Sequence, residues 1–69
     1  MPIKVPKTVY DGILAVRDSG ATNMLDRPRV IELLNEMDFH EAVIWVNDNR
    51  KEYGRGIFQG FEPEEEATA

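Results

Sequence analysis

The fold of this chain is decided by residues 26–37, which read Asp-Arg-Pro-Arg-Val-Ile-Glu-Leu-Leu-Asn-Glu-Met. Asp26 suits the N-cap position, where its side chain accepts a hydrogen bond from the first turn, and Pro28 is tolerated in that turn. The large apolar side chains form one broad face, at Val30, Ile31, Leu33, Leu34 and Met37. Because the charged and amide side chains fall on the opposite face, the stretch predicts an amphipathic helix packed on a core.

Another helix is predicted before this one. Pro6 is favourable in a first helical turn because its missing N–H would be unpaired there. Apolar side chains then repeat at helical spacing and form one stripe, at Val9, Tyr10, Ile13, Leu14 and Val16. Gly12 costs about 1 kcal/mol in a helix interior, which implies close packing if the helix forms there. Gly20 can take the left-handed conformation that ends a helix, so residues 21–25 are predicted to be a connector.

A third helix is predicted to begin at Asp38, almost without a linker, because Asp38 and Glu41 resemble a capping box. The residues that continue it at helical spacing are Phe39, Ala42, Val43, Val46, Arg50 and Tyr53. Ile44 and Trp45 lie off that stripe, so residues 42–46 are apolar nearly all round and must be covered on more than one side. Self-association as a homodimer, with Trp45 at or beside the contact, is the prediction that needs the fewest assumptions.

The C-terminal part allows two structures. Gly54 and Gly56 indicate a break, yet helical spacing continues through them, which favours a kinked or restarted helix over residues 55–60. A short extended strand over residues 57–61 is the alternative, because the composition there is typical of strands. Either segment could shield Trp45 within one chain, in place of a dimer, through its large apolar side chains Ile57, Phe58 and Phe61.

These patterns predict an all-α fold, a small three-helix bundle with a short C-terminal helical or irregular segment. With 69 residues and no cysteine, the chain can form one small domain without disulfides. The net charge is −5, and four of the 13 acidic residues fall within residues 62–69. Because those residues offer nothing large and apolar to bury, residues 1–61 are predicted to fold and residues 62–69 to form a disordered acidic tail.

The location in the cell is predicted from the lack of membrane and export signals. No apolar run approaches the roughly 18 residues that cross a bilayer. Residues 1–7 lack the apolar core of a signal peptide. We therefore expect a soluble, cytoplasmic protein.

Catalytic chemistry has few candidate residues. His40 is the single histidine, and its acidic neighbours in a predicted first turn favour a surface position over the role of a general base. Without cysteine, metal ligands are limited mainly to carboxylates, and no calcium loop, P-loop or dinucleotide fingerprint occurs. We expect no enzymatic activity, no metal and no cofactor.

Two further binding modes are open from the sequence. The loop and first turn before Val30 combine polar groups with two arginines, at Thr22, Asn23, Arg27 and Arg29. Such groups at a helix N-terminus could hold an anionic metabolite or a nucleotide, although they could equally form only a loop, a cap and solvated charges. The second and third helices could also imitate a helix-turn-helix. Without the tail the net charge is −1, so nucleic acid is not the partner we expect.

Two motifs carry a resemblance to a known family. Residues 19–27 read Ser-Gly-Ala-Thr-Asn-Met-Leu-Asp-Arg and residues 56–61 read Gly-Ile-Phe-Gln-Gly-Phe, with Phe39-His40-Glu41-Ala42, Trp45 and Glu52-Tyr53 between them. This pair of patterns resembles a small uncharacterised domain family met mainly in bacteriophages, prophages and Gram-positive bacteria. The resemblance covers about residues 5–62. It implies a phage-associated origin and a cytoplasmic accessory role, and it assigns no catalytic residue.

We therefore expect a non-enzymatic, phage-encoded interaction protein that binds a host or defence-system protein as a small helical homodimer. The residues predicted to form the partner or self-interface are Ile44, Trp45, Tyr53, Phe58 and Phe61. The first alternative is a binder of small anionic ligands that uses residues 22–29. The second alternative is a DNA-binding accessory protein.

Overall fold

The computed structural model describes residues 1–64, which form four helices and a two-stranded sheet. In chain order the elements are β1 (Ile3–Val5), α1 (Lys7–Ser19), α2 (Arg27–Glu36), α3 (His40–Asp48), α4 (Arg50–Gln59) and β2 (Phe61–Pro63). The helices α1, α2 and α3 pack on one another. The prediction of a helical bundle is therefore confirmed in its main part, but the fold is not all-α, because strands form near both ends of the described chain.

The sheet joins the beginning of the chain to the end of the described part. β1 and β2 run parallel, in the register Ile3–Phe61, Lys4–Glu62 and Val5–Pro63. The Ile3 N–H donates to the Gly60 carbonyl at 2.9 Å, and the Glu64 N–H donates to the Val5 carbonyl at 2.8 Å. Val5 is fully buried, so the strands also contribute to the core.

The first residues of the predicted acidic tail belong to the fold. Glu62 and Pro63 lie in β2, and the Glu64 backbone is hydrogen-bonded to β1, so the prediction of disorder is corrected for residues 62–64. Proline is tolerated at the end of an edge strand, where its nitrogen needs no partner. The rest of the predicted disordered tail, residues 65–69, lies outside the described residues.

The core includes residues from the apolar faces predicted for the first two helices, together with residues of β1, α3 and α4. Its buried side chains are Val5, Val9, Ile13, Val16, Val30, Leu33, Leu34, Ala42, Val46 and Tyr53. Gly12 lies where these helices meet α3: an added Cβ would lie 2.9 Å from Ala42 Cβ and 3.0 Å from both Leu34 Cδ2 and Phe39 Cγ. A glycine that is unfavourable for α1 alone is therefore required by the packing of the three helices.

The turn between α2 and α3 differs from the prediction. Asp38 has a φ of +65°, and α3 begins at His40, with Phe39 at its N-cap and no side-chain capping bond. The Asp38 N–H donates to the Asn35 carbonyl at 3.1 Å, and the Phe39 N–H donates to the Leu34 carbonyl at 2.9 Å. These two bonds are those of a Schellman motif. Asp38 therefore ends α2 and does not cap α3, because aspartate tolerates the left-handed conformation better than most residues.

The break in the C-terminal half falls at Asn49 and not at Gly54. The backbone N–H and the side-chain amide of Asn49 both donate to the Trp45 carbonyl at 2.9 Å. They satisfy a carbonyl that the end of α3 would otherwise leave without a partner. The next helix, α4, then continues through both glycines to Gln59. The C-terminal helix is thus longer than predicted, and within the segment for which a strand was the alternative, only Phe61 is in a strand.

Candidate functional site

The Thr-Asn-Met-x-Asp-Arg motif builds the loop before α2. The side-chain oxygen of Asn23 accepts a hydrogen bond from the Leu25 N–H at 2.9 Å. The carboxylate of Asp26 accepts one from the Arg29 N–H at 3.4 Å, which confirms the predicted N-cap. The motif also connects distant parts of the chain, because the Tyr53 hydroxyl donates to the Met24 carbonyl at 2.5 Å.

The predicted anion-binding loop is largely satisfied by groups of the chain itself. The Asp26 carboxylate already occupies the N-terminus of α2, and the Arg29 guanidinium lies 3.0 Å from the carboxylate of Glu32. Thr22 donates a long hydrogen bond, 3.5 Å, to the Asn23 carbonyl, and Arg27 is half-buried. Three of the four predicted residues, Thr22, Asn23 and Arg29, thus already have side-chain partners within the chain.

The Gly-Ile-Phe-x-Gly-Phe motif turns the chain from α4 into β2. The ring of Phe61 lies against Gly56: an added Cβ would lie 2.8 Å from Phe61 Cδ1 and closer still to Cε1 and Cζ. Gly60 has a φ of 92° and a ψ of 163°, a conformation that is essentially restricted to glycine. Both glycines therefore place Phe61 back on the helices.

Three of the five predicted interface residues form a cluster within the chain. The Phe61 ring centroid lies 6.2 Å from that of Trp45, in an edge-to-face arrangement at 81°, and 5.9 Å from that of Tyr53. Tyr53 is only 2% exposed, and burial raises the pKa of its hydroxyl to about 12. Phe61 thus covers part of Trp45 within one chain, which was the predicted alternative to covering it with a second copy. Tyr53 is a core residue.

The other two predicted interface residues are left at the surface. Ile44 on α3 is 61% exposed and Phe58 on α4 is 82% exposed. They do not share a pocket, since Phe58 lines a groove to which Ile44 does not contribute. Phe58 is the one phenylalanine of the Gly-Ile-Phe-x-Gly-Phe motif that the described fold leaves in solvent.

The groove beside Phe58 lies between α1 and the C-terminal end of α4. Its volume is about 500 Å³, within the size range of clefts that bind small ligands. The side chains around it are Tyr10, Ile13, Leu14 and Arg17 of α1, Met24 of the loop, Ile57, Phe58 and Gln59 of α4, and Phe61. Arg17 is the only charged residue among those described that line the groove. The arrangement is a cleft of mixed polar and apolar lining, in which Arg17 is the single cation.

Comparison with known proteins identifies the family. Residues 5–61 match the family described as Domain of unknown function (DUF5049). The chain belongs to the DUF5049 family. The match covers all four helices and both motifs quoted above. No curated protein and no solved structure is similar enough to the chain to count as a match. The resemblance to an uncharacterised domain family is confirmed, while its bacteriophage and Gram-positive setting stays a prediction.

The surface around His40 in this DUF5049 domain brings together polar side chains of α1, of α3 and of the turn before α3. His40 is exposed as predicted, with Nε2 3.7 Å from an Asp38 carboxylate oxygen. Across the neighbouring hollow, the Thr8 hydroxyl donates to Glu41 at 2.5 Å.

Within residues 1–64 no group of three histidine or acidic side chains could hold a metal ion. In the same part of the chain, no helix has both the length and the apolar character needed to cross a membrane.

Sequence reasoning found Phe58 but missed the groove beside it. Tyr10 and Leu14 were predictable only as the edge of an apolar stripe, and Arg17 carries no local signal that separates it from a solvated surface charge. The groove forms where residues of α1 and the end of α4 come together, and these residues are distant in the sequence. The sequence offers one signal for the position of Arg17: it follows Ile13 and Leu14 by one helical turn, so the three residues share a face of α1.

Proposed function

We propose that this DUF5049 protein is a non-enzymatic interaction domain that binds another protein through Phe58 and the groove beside it. The observation that carries the proposal is the 82% exposure of the Phe58 side chain. Burying a phenylalanine contributes about 1.5–3 kcal/mol, a stabilisation that the isolated domain forgoes. Large aromatic side chains are also among the residues that contribute most to binding at protein interfaces.

Phe58 differs from the other apolar and glycine residues of its motif because its side chain is not packed in the described fold. Gly56 makes room for a ring, Gly60 supplies a backbone conformation, and Phe61 packs on two aromatic side chains. Ile57 is half-buried and lies against the core. Since the described fold uses every other apolar side chain of the motif, a partner is the most direct explanation for Phe58.

The partner that we propose is a host or defence-system protein in the cytoplasm of a bacterial cell. This part of the proposal is supported by the motifs, which resemble those of a phage-associated family. The net charge of −5 and the exposed Asp38 and Glu41, on either side of the N-terminus of α3, oppose binding to nucleic acid. The ion pair between Arg29 and Glu32 likewise favours a protein partner over a small anion at residues 22–29.

Self-association is a separate proposal and needs its own test. Because Phe61 shields part of Trp45, Ile44 is the more accessible apolar side chain of α3. If two copies meet there, light scattering at micromolar concentration gives twice the monomer mass of 7.9 kDa, and Ile44→Glu returns the monomer. A mass of 7.9 kDa at all concentrations would exclude the dimer.

The interaction itself is tested by affinity capture from a bacterial lysate with three forms of the full chain. Wild type and Leu25→Ser should retain the same protein, whereas Phe58→Ser should lose it. Leu25→Ser is the matched control, because it also removes an exposed apolar side chain, but Leu25 does not line the groove. Equal capture by all three forms, or no specific capture by wild type, would contradict the proposed function.

A further inference from the structure

We infer that the groove beside Phe58 binds a peptide segment that places one large apolar side chain in the groove and a neighbouring carboxylate on Arg17. The inference rests on the proposed function, since it names the chemistry of the partner at the same site. It assigns Arg17, which no motif singles out, as the residue that selects the partner.

The groove can hold an apolar anchor because large apolar side chains line part of it. Tyr10 and Leu14 of α1 and Ile57 of α4 line the groove and are half-buried, whereas Ile13, which also lines it, is buried. Closing this space with a partner side chain would remove the remaining exposed area of these walls, and that of Phe58, from water. An anchor packed in a pocket and surrounded by a rim that excludes water is the usual form of a binding hot spot.

Arg17 supplies the charge that the anchor alone would lack. It lies in the last turn of α1, and within residues 1–64 no carboxylate forms a salt bridge with it, in contrast to Arg29 with Glu32 and Lys7 with Asp11. Guanidinium groups bind carboxylates through two parallel hydrogen bonds. Covering the groove with a purely apolar segment would remove water from Arg17 without replacing its hydrogen bonds, so the site discriminates against such segments.

The overall charge limits how acidic the partner segment can be. The chain carries a net charge of −5, which repels strongly acidic peptides at long range. A single aspartate or glutamate beside the apolar anchor satisfies Arg17 without adding much repulsion. We therefore expect a segment with one local acid and neutral or basic flanks.

The experiment is a selection of displayed random peptides on the immobilised full chain, followed by fluorescence polarisation with the most enriched peptide. Enriched sequences should share a phenylalanine, tryptophan, leucine or methionine close to an aspartate or glutamate. Phe58→Ala should weaken binding by about tenfold or more, and Arg17→Gln by roughly tenfold. Arg50→Gln is the matched control and should bind as wild type does, because Arg50 is also an exposed arginine but does not line the groove.

A charge exchange separates direct pairing from a structural role of Arg17. Arg17 also stabilises α1 through the dipole of its last turn, so a loss of binding alone could follow from loss of structure. Replacing the acid of the peptide with lysine should abolish binding to wild type and restore binding to Arg17→Glu. A merely structural arginine would give no such restoration.

Three outcomes would overturn the inference. The first is that no peptide is enriched or that enriched peptides share no acid, and the second is that binding does not respond to Arg17→Gln. The third is a concentration-dependent mass that Phe58→Ala abolishes, since a second copy would then occupy the groove. If lysate capture still depends on Phe58 in the first two cases, the proposed function stands without the acidic-peptide chemistry. If neither capture nor peptide binding depends on Phe58, both fail.

Discussion

Replacing Gly56 with alanine tests the contact that closes the C-terminal half of the fold. The added methyl group would lie 2.8 Å from Phe61 Cδ1 and closer to two further ring atoms. The ring cannot move without disturbing its contacts with Trp45 and Tyr53, at centroid distances of 6.2 Å and 5.9 Å. Forced overpacking costs about 1–3 kcal/mol, and each disturbed aromatic pair adds roughly 0.5–1.5 kcal/mol.

A second glycine of α4 provides the control. Gly54 is in the same helix, and an added Cβ there would meet nothing within 4 Å. Gly54→Ala should therefore raise the free energy of unfolding by up to about 1 kcal/mol, the helix-propensity gain. The same gain offsets part of the clash in Gly56→Ala, which leaves a net loss of about 1–5 kcal/mol. The two variants should then differ in melting temperature by at least about 8 °C for a domain of this size.

Urea denaturation followed by Trp45 fluorescence measures both variants, and a double-mutant cycle locates the cause. In a Phe61→Ala background the ring is gone, so Gly56→Ala should lose its penalty and behave like Gly54→Ala. Equal stability of Gly54→Ala and Gly56→Ala in the wild-type background would refute the proposed role of Gly56. So would a Gly56→Ala penalty that persists without Phe61.

Three further changes test the caps and the buried tyrosine by chemical denaturation. Asp26→Ala should lower the free energy of unfolding by about 1 kcal/mol through loss of the N-cap; an unchanged value would contradict the capping role. Asp38→Gly should raise it by some tenths to about 1 kcal/mol, because glycine adopts a positive φ freely; a loss would contradict the Schellman turn. Burial raises the pKa of Tyr53 from 10.0 to about 12, so on raising the pH the unfolded chain loses the hydroxyl proton before the folded chain does. The contribution of the protonated Tyr53 to the free energy of unfolding is therefore complete below pH 10. It falls between pH 10 and 12, by at most about 1.4 kcal/mol per pH unit. Tyr53→Phe should flatten the wild-type decline in that range, and identical declines would exclude Tyr53 as its source.

Local sequence patterns were sufficient for the first two helices. The apolar positions of α1 and α2 predicted their buried faces, and Asp26 predicted the start of α2 together with its hydrogen bond. Both features arise from residues within one or two turns of each other. A periodicity argument sees such residues directly.

The features that the sequence did not reveal depend on distant residues or on competing local roles. β1 has three residues, too few for an alternating pattern, and its partner strand lies at the other end of the described chain. Asp38 followed by Glu41 reads as a capping box, but the left-handed preference of aspartate prevailed and ended α2. Gly56 reads as a helix breaker because the Phe61 ring that requires it is not adjacent in the helix.

The candidate site was predictable in part for the same reasons. The surplus of large apolar residues identified Phe58 and Trp45 together, but only the folded chain separates them: Phe61 packs on Trp45, whereas Phe58 remains 82% exposed. Arg17 could not be singled out, because an exposed arginine near a helix end is common and its position beside the groove depends on α4.

The most direct test of the central claim is to measure stability and binding on the same preparation of Phe58→Ala. If Phe58 contacts a partner and does not stabilise the fold, the free energy of unfolding of Phe58→Ala should stay within about 0.5 kcal/mol of wild type, as for an ordinary surface substitution. Capture of the lysate partner should nevertheless be lost. Unchanged capture would contradict the claim, and so would a loss of capture accompanied by a drop of about 2 kcal/mol or more in stability, which is the effect of removing a core side chain.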